Sequence, residues 1–308
     1  IQSVPALLTA LTAYVRKKPV IGVTQTMNPI AEKKRPLAIR LLKSLIYKLC
    51  TYIVAQTEPT KETLTINYHI PEEKIFFIPW DGGMSEFMQV LGRFSYKDRI
   101  ETRKRLSLDD HSIAILFVGT LYHLKGVDVL IRALKKVTSS FPKNELLVVG
   151  PDGGSLSVMP NLRMLVNLLE LDSKVRFIGP LPWNELAKVY LASDMFVLPT
   201  RKDIWPKVLL EAALAGLPLI TTEICGCAGY IVKNGVNGYI VPVDDISSLS
   251  EAIIRLNDQM LRVRFGKESM QIAEQYIGQD FEGELYNEVI LNCIKNKEVL
   301  LGGGKRAI

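Results

Sequence analysis

The chain has 308 residues, 48% of them hydrophobic and 23% charged, with a formal net charge of +6. That composition excludes disorder as the main state, and the length suffices for two domains. No uninterrupted apolar run is long enough to cross a bilayer as a helix.

The charge is uneven. Residues 1–50 hold nine Lys/Arg against Glu32 alone, a net +8, so the remainder is slightly acidic. A cationic end suits an anionic membrane surface or nucleic acid. Aromatic residues for base stacking are sparse there, Tyr14 and Tyr47 only, so nucleic acid is the weaker partner. The start of the chain lacks the charged segment and cleavage site of a signal peptide. Cys50, Cys225, Cys227 and Cys293 lack metal-ligand spacing and read as buried thiols of a cytoplasmic protein.

In chain order, Ala6–Val15, Pro36–Leu49 and Thr60–Ile66 read as helices, and Pro19–Val23, Tyr52–Val54 and Ile75–Ile78 as strands. In the helix 36–49, Arg40, Lys43, Tyr47 and Lys48 fall on one side and Leu37, Leu41, Leu45 and Leu49 on the other. The leucine side is expected in the core and the cationic side in solvent or against lipid headgroups. Three strands make a thin sheet, and the chain opens on Ile1 with no strand before its first helix. The expectation is a first Rossmann-like domain without its N-terminal part, with a connector at Trp80–Tyr96 around Asp81-Gly82-Gly83.

From Ser112 onward, short apolar strands alternate with helices. The strands are Ile113–Val118, Leu146–Val149, Val175–Ile178, Met195–Leu198 and Leu219–Thr221. The helices lie near 127–138, 161–171, 184–191 and 206–214. Continuous rather than alternating apolar strands indicate an α/β fold whose parallel sheet is covered on both faces. Gly119, Gly150 and Gly179 each stand just past a strand end, where open α/β sheets bind ligands.

The segment Asp203-Ile-Trp-Pro-Lys-Val-Leu-Leu-Glu211 follows the strand 195–198 and enters a helix. A helix start offers N–H groups and a positive dipole end to an anion, while carboxylates accept from sugar hydroxyls. Diphosphate plus hydroxyls describes a nucleotide-sugar; a surface acid and an ordinary helical Glu explain the segment equally well in isolation.

Five elements in order then resemble a retaining GT-B glycosyltransferase of the family-four, or glycosyl transferases group 1, type. They are Phe117-Val118-Gly119-Thr120-Leu121 with Lys125-Gly126-Val127-Asp128, Leu147–Gly150, Val175–Gly179, Asp203–Glu211, and Asn237-Gly238-Tyr239 with Asp244-Asp245. The resemblance implies two Rossmann-like domains with a cleft between them. Their bounds would be 1–94 for the partial acceptor-side domain with its connector and 95–278 for the nucleotide-sugar domain. Residues 279–308 would hold a final helix (281–295), which returns to the first domain, and a tail.

The resemblance also implies roles. Lys125 would face the donor diphosphate and compensate charge on the leaving nucleotide. Gly119 and Thr120 belong to the phosphate loop, and Thr120 stands where the family often has arginine. Lys207 and Val208 would offer amides to phosphate behind Pro206, which loses little at a helix start. Glu211 would hold the ribose and Asp203 the transferred sugar, with Ile178 beside the base. Gln25 stands where many relatives carry histidine; it cannot titrate, so it cannot be a general base. His69, His111 and His123 show no ligand spacing, no Asp-x-Asp pair occurs, and no metal or separate cofactor is expected.

The implied activity is sugar transfer from a nucleotide-diphosphate sugar to a glycan or lipid-linked acceptor, with retention, in polysaccharide or cell-envelope biosynthesis. The site would be cytoplasmic, peripheral on the inner face of a membrane. A partial or non-catalytic GT-B chain serving as partner subunit, and a nucleotide-sugar epimerase, are the alternatives.

Overall fold

A computed structural model describes residues 4–25, 29–78, 83–109, 111–277 and 281–302. The chain divides into two compact units, Ile1–Trp80 with Gly278–Ile308, and Asp81–Ile277. The first unit runs α1 (Val4–Val15), β1 (Ile21–Thr24), α2 (Pro29–Lys33), α3 (Leu37–Leu49), β2 (Tyr52–Ala55), α4 (Glu58–Tyr68) and β3 (Ile75–Phe77). Its strands form a parallel sheet in the order β1-β2-β3, pairing Ile21 with Tyr52 and Ile53 with Ile75. Thr57 caps α4 by accepting from the Thr60 N–H, and the helix stops at His69 in the left-handed conformation.

The second unit runs α5 (Met84–Leu91), α6 (Tyr96–Arg105), β4 (Ile113–Val118), α7 (Val127–Ser140), β5 (Asn144–Val149), α8 (Met159–Leu168), β6 (Val175–Gly179) and α9 (Trp183–Ala192). It continues through β7 (Met195–Leu198), α10 (Lys207–Leu214), β8 (Leu219–Thr222), β9 (Gly238–Val241), α11 (Ile246–Arg255) and α12 (Gln259–Glu274). The six parallel strands lie in the order β6-β5-β4-β7-β8-β9. Successive crossovers therefore run outward one way from β4 and then the other way from β7. That reversal is the Rossmann pattern, and it opens a crevice past the carboxyl ends of β4 and β7. The central strands are buried along nearly their whole length, as an apolar run between two helix layers requires.

The last helix, α13 (Phe281–Gly302), belongs to the first unit, where Val289 is fully buried with Val54 and Ile78. Residues 83–94 go with the second unit instead of the first. Met84 and Phe87 are fully buried there, Phe87 lying edge-on to Tyr190 at 5.8 Å and to Trp183 at 5.7 Å. The Asp81-Gly82 part of the expected connector, and Gly303–Lys305 of the tail, lie outside the described residues.

In one helix the expected faces are reversed in part, with Lys48 still exposed and Arg40 and Leu49 half-buried. In α3 it is Lys43, Ile46 and Tyr47 that are buried, while Leu37, Leu41 and Leu45 are 65%, 61% and 46% exposed. Partners from neighbouring helices compensate the polar face. Glu32 of α2 accepts from Lys43 Nζ at 2.5 Å and from Tyr68 Oη of α4 at 2.6 Å, and Arg35 Nε lies 3.2 Å from its other oxygen. Burial pulls the Lys43 ammonium below its ordinary range against the pull of Glu32, and burial pushes Tyr47 up to about 12. A lysine can be enclosed when a carboxylate and a ring share the enclosure.

Candidate functional site

The loops past β4 and β7 make the centre of the site. Gly119 and Thr120 leave β4, and Thr200 through Lys207 lead from β7 to α10. Two glycines let the loops meet backbone to backbone. A Cβ on Gly150, at φ +140, would lie 2.1 Å from the Gly119 carbonyl oxygen; one on Gly126, at φ +71, would lie 2.0 Å from that of Pro199. Any side chain at either position would separate the strand mouths.

Lys125 and Asp203, 78 residues apart in sequence, meet across this crevice with Nζ 2.5 Å from Oδ2. Both side chains are mostly enclosed, and the Lys125 ammonium also stands 5.9 Å from the Tyr122 ring centroid. The backbone of Asp203 is fixed from behind, its carbonyl accepting from the Gly226 N–H at 2.9 Å. A cation and a carboxylate are thus held side by side at the mouth of the crevice.

Glu211 lies in α10 and is buried, its carboxylate accepting from Tyr190 Oη of α9 at 2.8 Å. Burial pushes the Glu211 carboxyl above its ordinary value, with the Tyr190 hydrogen bond and the Lys207 charge opposing. The same enclosure drives the Tyr190 hydroxyl far upward, so Tyr190 stays protonated and donating. Lys207 and Val208 are the first residues of α10 after Pro206, the positions whose N–H groups precede the intrahelical ladder.

Arg201 was not singled out from the sequence, yet it ties the mouth together. Its guanidinium bonds both oxygens of Asp128 at 2.9 and 2.7 Å, Asp244 at 2.7 Å and the His123 carbonyl at 2.6 Å. The β7 loop is thereby pinned to the start of α7 and to the turn before α11. Burial alone would raise Asp128, but the hydrogen bonds and charge of Arg201 together hold its carboxyl below the ordinary value. With both carboxylates engaged, Arg201 does not replace the cation that Thr120 lacks. The available signal was a cation two residues before Asp203 at the same strand end. Tyr190 gave no local signal, since its role depends on α9 packing beside α10.

The remaining expected residues are placed as follows. Thr120 is half-buried between Gly119 and Leu121, its carbonyl accepting from Tyr122 N–H at 3.0 Å. Ile178 falls at a register shift between β5 and β6, where Val148 faces Phe177 but Val149 faces Gly179. Such a bulge re-aims an edge strand, and bulges recur beside binding sites. Gln25 belongs to the other unit, next to Thr24, whose hydroxyl hydrogen-bonds Tyr47 Oη at 3.3 Å.

The profile of the family described as glycosyl transferases group 1 matches residues 98–271, more than half of the chain. The chain belongs to that family. Among curated family relatives, a D-inositol 3-phosphate glycosyltransferase of Corynebacterium kroppenstedtii is 26% identical over 277 residues, 89% of this chain and 59% of that protein. One of Actinosynnema mirum is 30% identical over 209 residues, 66% and 48% respectively. The chain thus spans about half the length of these relatives. The crystal structure of Anabaena HepE in complex with UDP superposes with a TM-score of 0.76 at 17% identity, covering 93% of this chain and 76% of that one. The α/β fold with parallel sheets is the fold of this GT-B glycosyltransferase, as the family resemblance implied.

Proposed function

We propose that the chain contributes to a retaining glycosyltransferase that takes a nucleotide-diphosphate sugar as donor. The Lys125–Asp203 pair at the switch point of the sheet carries this reading. It sets a charge for diphosphate beside a carboxylate for sugar hydroxyls, at the mouth of a helix start. Glu211 would hold the ribose through a carboxylate oriented by Tyr190, and the amides of Lys207 and Val208 would receive phosphate. Gly119 and Thr120 would border the phosphates and Ile178 the base. Gln25 would orient an acceptor or sugar hydroxyl without taking its proton, which suits a transfer in which the leaving phosphate assists the acceptor. HepE has been crystallised with UDP and with UDP-glucose, which supports a uridine nucleotide as the first donor to try.

The acceptor reading is a glycan or a lipid-linked phosphate, reached from the cytoplasmic face of a membrane. It is supported by the exposed cations Arg16, Lys17, Lys18, Lys33, Lys34 and Lys48 of the first unit, and by the phosphorylated acceptor in the relatives' name. The test is turnover with a panel of nucleotide-sugars and acceptors, with the anomeric configuration of the product read by NMR. Product with retained configuration is expected; an inverted anomer overturns the mechanistic class.

A second reading is favoured by Thr120 and by the full engagement of Arg201 with Asp128 and Asp244. With one phosphate cation fewer, the chain would bind donor as a non-catalytic partner subunit. Donor binding without turnover across the panel selects that reading.

A further inference from the structure

A second pocket, of about 810 Å³, opens at the opposite end of the same sheet. It is bounded by the residues that enter β4 and β7, whereas the candidate donor site lies past the other ends of those strands. Six residues of strand separate the two by about 20 Å. Among the described residues its lining carries Arg99, Arg103, Lys104, Arg262 and His111, with Asp194 as the one carboxylate.

That carboxylate is already saturated. Asp194 accepts from Arg99 at 2.7 Å, from Arg103 at 3.1 Å and from the Ala114 N–H at 2.8 Å. Arg103 spends its other N–H groups on the carbonyls of Ala192, Asp109 and Ser112, which fixes it as a wall of the pocket. Arg262 has a different position. Its described partners are two neutral acceptors, the carbonyls of Leu256 and Asn257 at 2.7 and 2.8 Å, and it makes no ion pair among the described residues. Burial, with the like charge of Arg99 adding to it, draws its guanidinium below the ordinary range against the pull of Asp194 and Asp258. Arg262 also closes the C-terminal end of α11, a structural duty that two carbonyls satisfy without supplying any counter-charge.

Among the described residues the lining sets four cations against one shared acid. With Asp258 acting on Arg262 from beyond the lining, a surplus of positive charge is still left, which a polyvalent oxyanion balances. We propose that this pocket binds a small soluble phosphate-bearing ligand, a diphosphate or phosphoester group, at a site separate from the donor site. Arg262 and Lys104 would take the phosphate oxygens, and Arg99 and Arg103, already oriented by Asp194, would supply the field behind them.

The experiment titrates pyrophosphate into the full chain by calorimetry, alone and with saturating UDP. Pyrophosphate is expected to retain one binding event when UDP occupies the donor site, and Lys125→Ala is expected to leave that event unchanged. Arg262→Gln should weaken it at least tenfold. Because Arg262 also caps α11, Lys104→Glu serves as the second variant: Lys104 is exposed, and its reversal should weaken the event at least tenfold without lowering the melting temperature. Loss of all pyrophosphate binding in the presence of UDP overturns the proposal, as does parental affinity in Lys104→Glu. Capture of the chain by phosphatidic acid vesicles that Lys104→Glu abolishes, with no pyrophosphate event, assigns the pocket to a lipid and overturns the soluble ligand.

Discussion

On the proposed reading, Glu211 couples donor binding to pH. Its enclosure raises the carboxyl above its usual range, so the folded chain holds that proton more tightly than the unfolded chain does. The sign follows: Glu211 lowers stability as pH rises from the ordinary carboxylate value through the raised one, and the loss is complete above it. Glu211→Gln removes the enclosed charge, so its melting temperature at neutral pH should equal or exceed the parent's. Donor affinity should meanwhile fall by roughly 1–2 kcal/mol, the worth of a hydrogen bond to a charged acceptor. Thermal melts and a UDP titration check both signs; a melting temperature several degrees lower with affinity intact would make Glu211 a structural residue. In the parent, donor affinity should weaken as pH falls through the raised carboxyl. Lys125→Ala should slow transfer more than it weakens nucleoside binding, by about 3 kcal/mol in the transition state. Since the variant strands Asp203, Lys125→Ala with Asp203→Asn controls for the orphaned acid, and parental turnover in either removes the pair from the site.

At the scale of elements, Arg201 and α3 show what holds loops and helices in place. Arg201→Met should cost roughly 1–2 kcal/mol, less than a fully buried pair would, because Asp128 is 37% exposed. It should also raise hydrogen exchange at the starts of α7 and α11 together, since one side chain pins both. With Asp128 held below its ordinary value, this stapling is present above the ordinary carboxylate range and is lost progressively as pH falls from that range through the lowered value. For α3, Leu41→Ser should change stability by less than about 0.5 kcal/mol, as at an exposed site. Glu32→Gln should cost about 3–5 kcal/mol, because it leaves the enclosed Lys43 without its counter-charge. Urea unfolding of the two variants decides the orientation of the helix, and the reverse ranking would restore the leucine-in packing.

The α3 case marks where the sequence stopped being legible. Helical periodicity separates two faces, but the choice of the inner one depended on Glu32 and Tyr68, which come from other helices. The strands from Ile113 to Thr222 were readable because each is a short apolar run ended by glycine or a turn, and that alone placed Gly119, Thr120 and Asp203 at strand ends. Arg201 and Tyr190 stayed hidden because their meaning lies in partners 73 and 21 residues away. Helix α12 carries a weak amphipathic pattern, whereas α11 separates its faces sharply; Asp245 and Asp258 mark the starts of the two helices as caps.

At the scale of the molecule, each apolar cluster of the described residues belongs to one unit. One large cluster runs from Met84 to Ala273 and lies wholly in residues 81–277, while two small clusters hold the first unit. A unit with a continuous core and a six-stranded sheet should fold alone, since stability tracks the surface it can bury. Lys125, Asp203, Glu211, Arg201 and the amides at the start of α10 all lie inside it, whereas Gln25 does not. The fragment 81–277 is therefore expected to melt in one cooperative transition and to bind UDP within about threefold of the full chain. Transfer should be lost, because the acceptor side and Gln25 are gone. Saturating UDP at a hundredfold excess over its Kd should raise the stability of the fragment by about 2.7 kcal/mol, as a ligand of the folded state alone does. A fragment that folds but does not bind UDP, beside a full chain that does, would show that residues outside 81–277 hold the nucleotide. A fragment that fails to fold would mean that the buried cluster around Phe117 and Phe196 needs the first unit to close it.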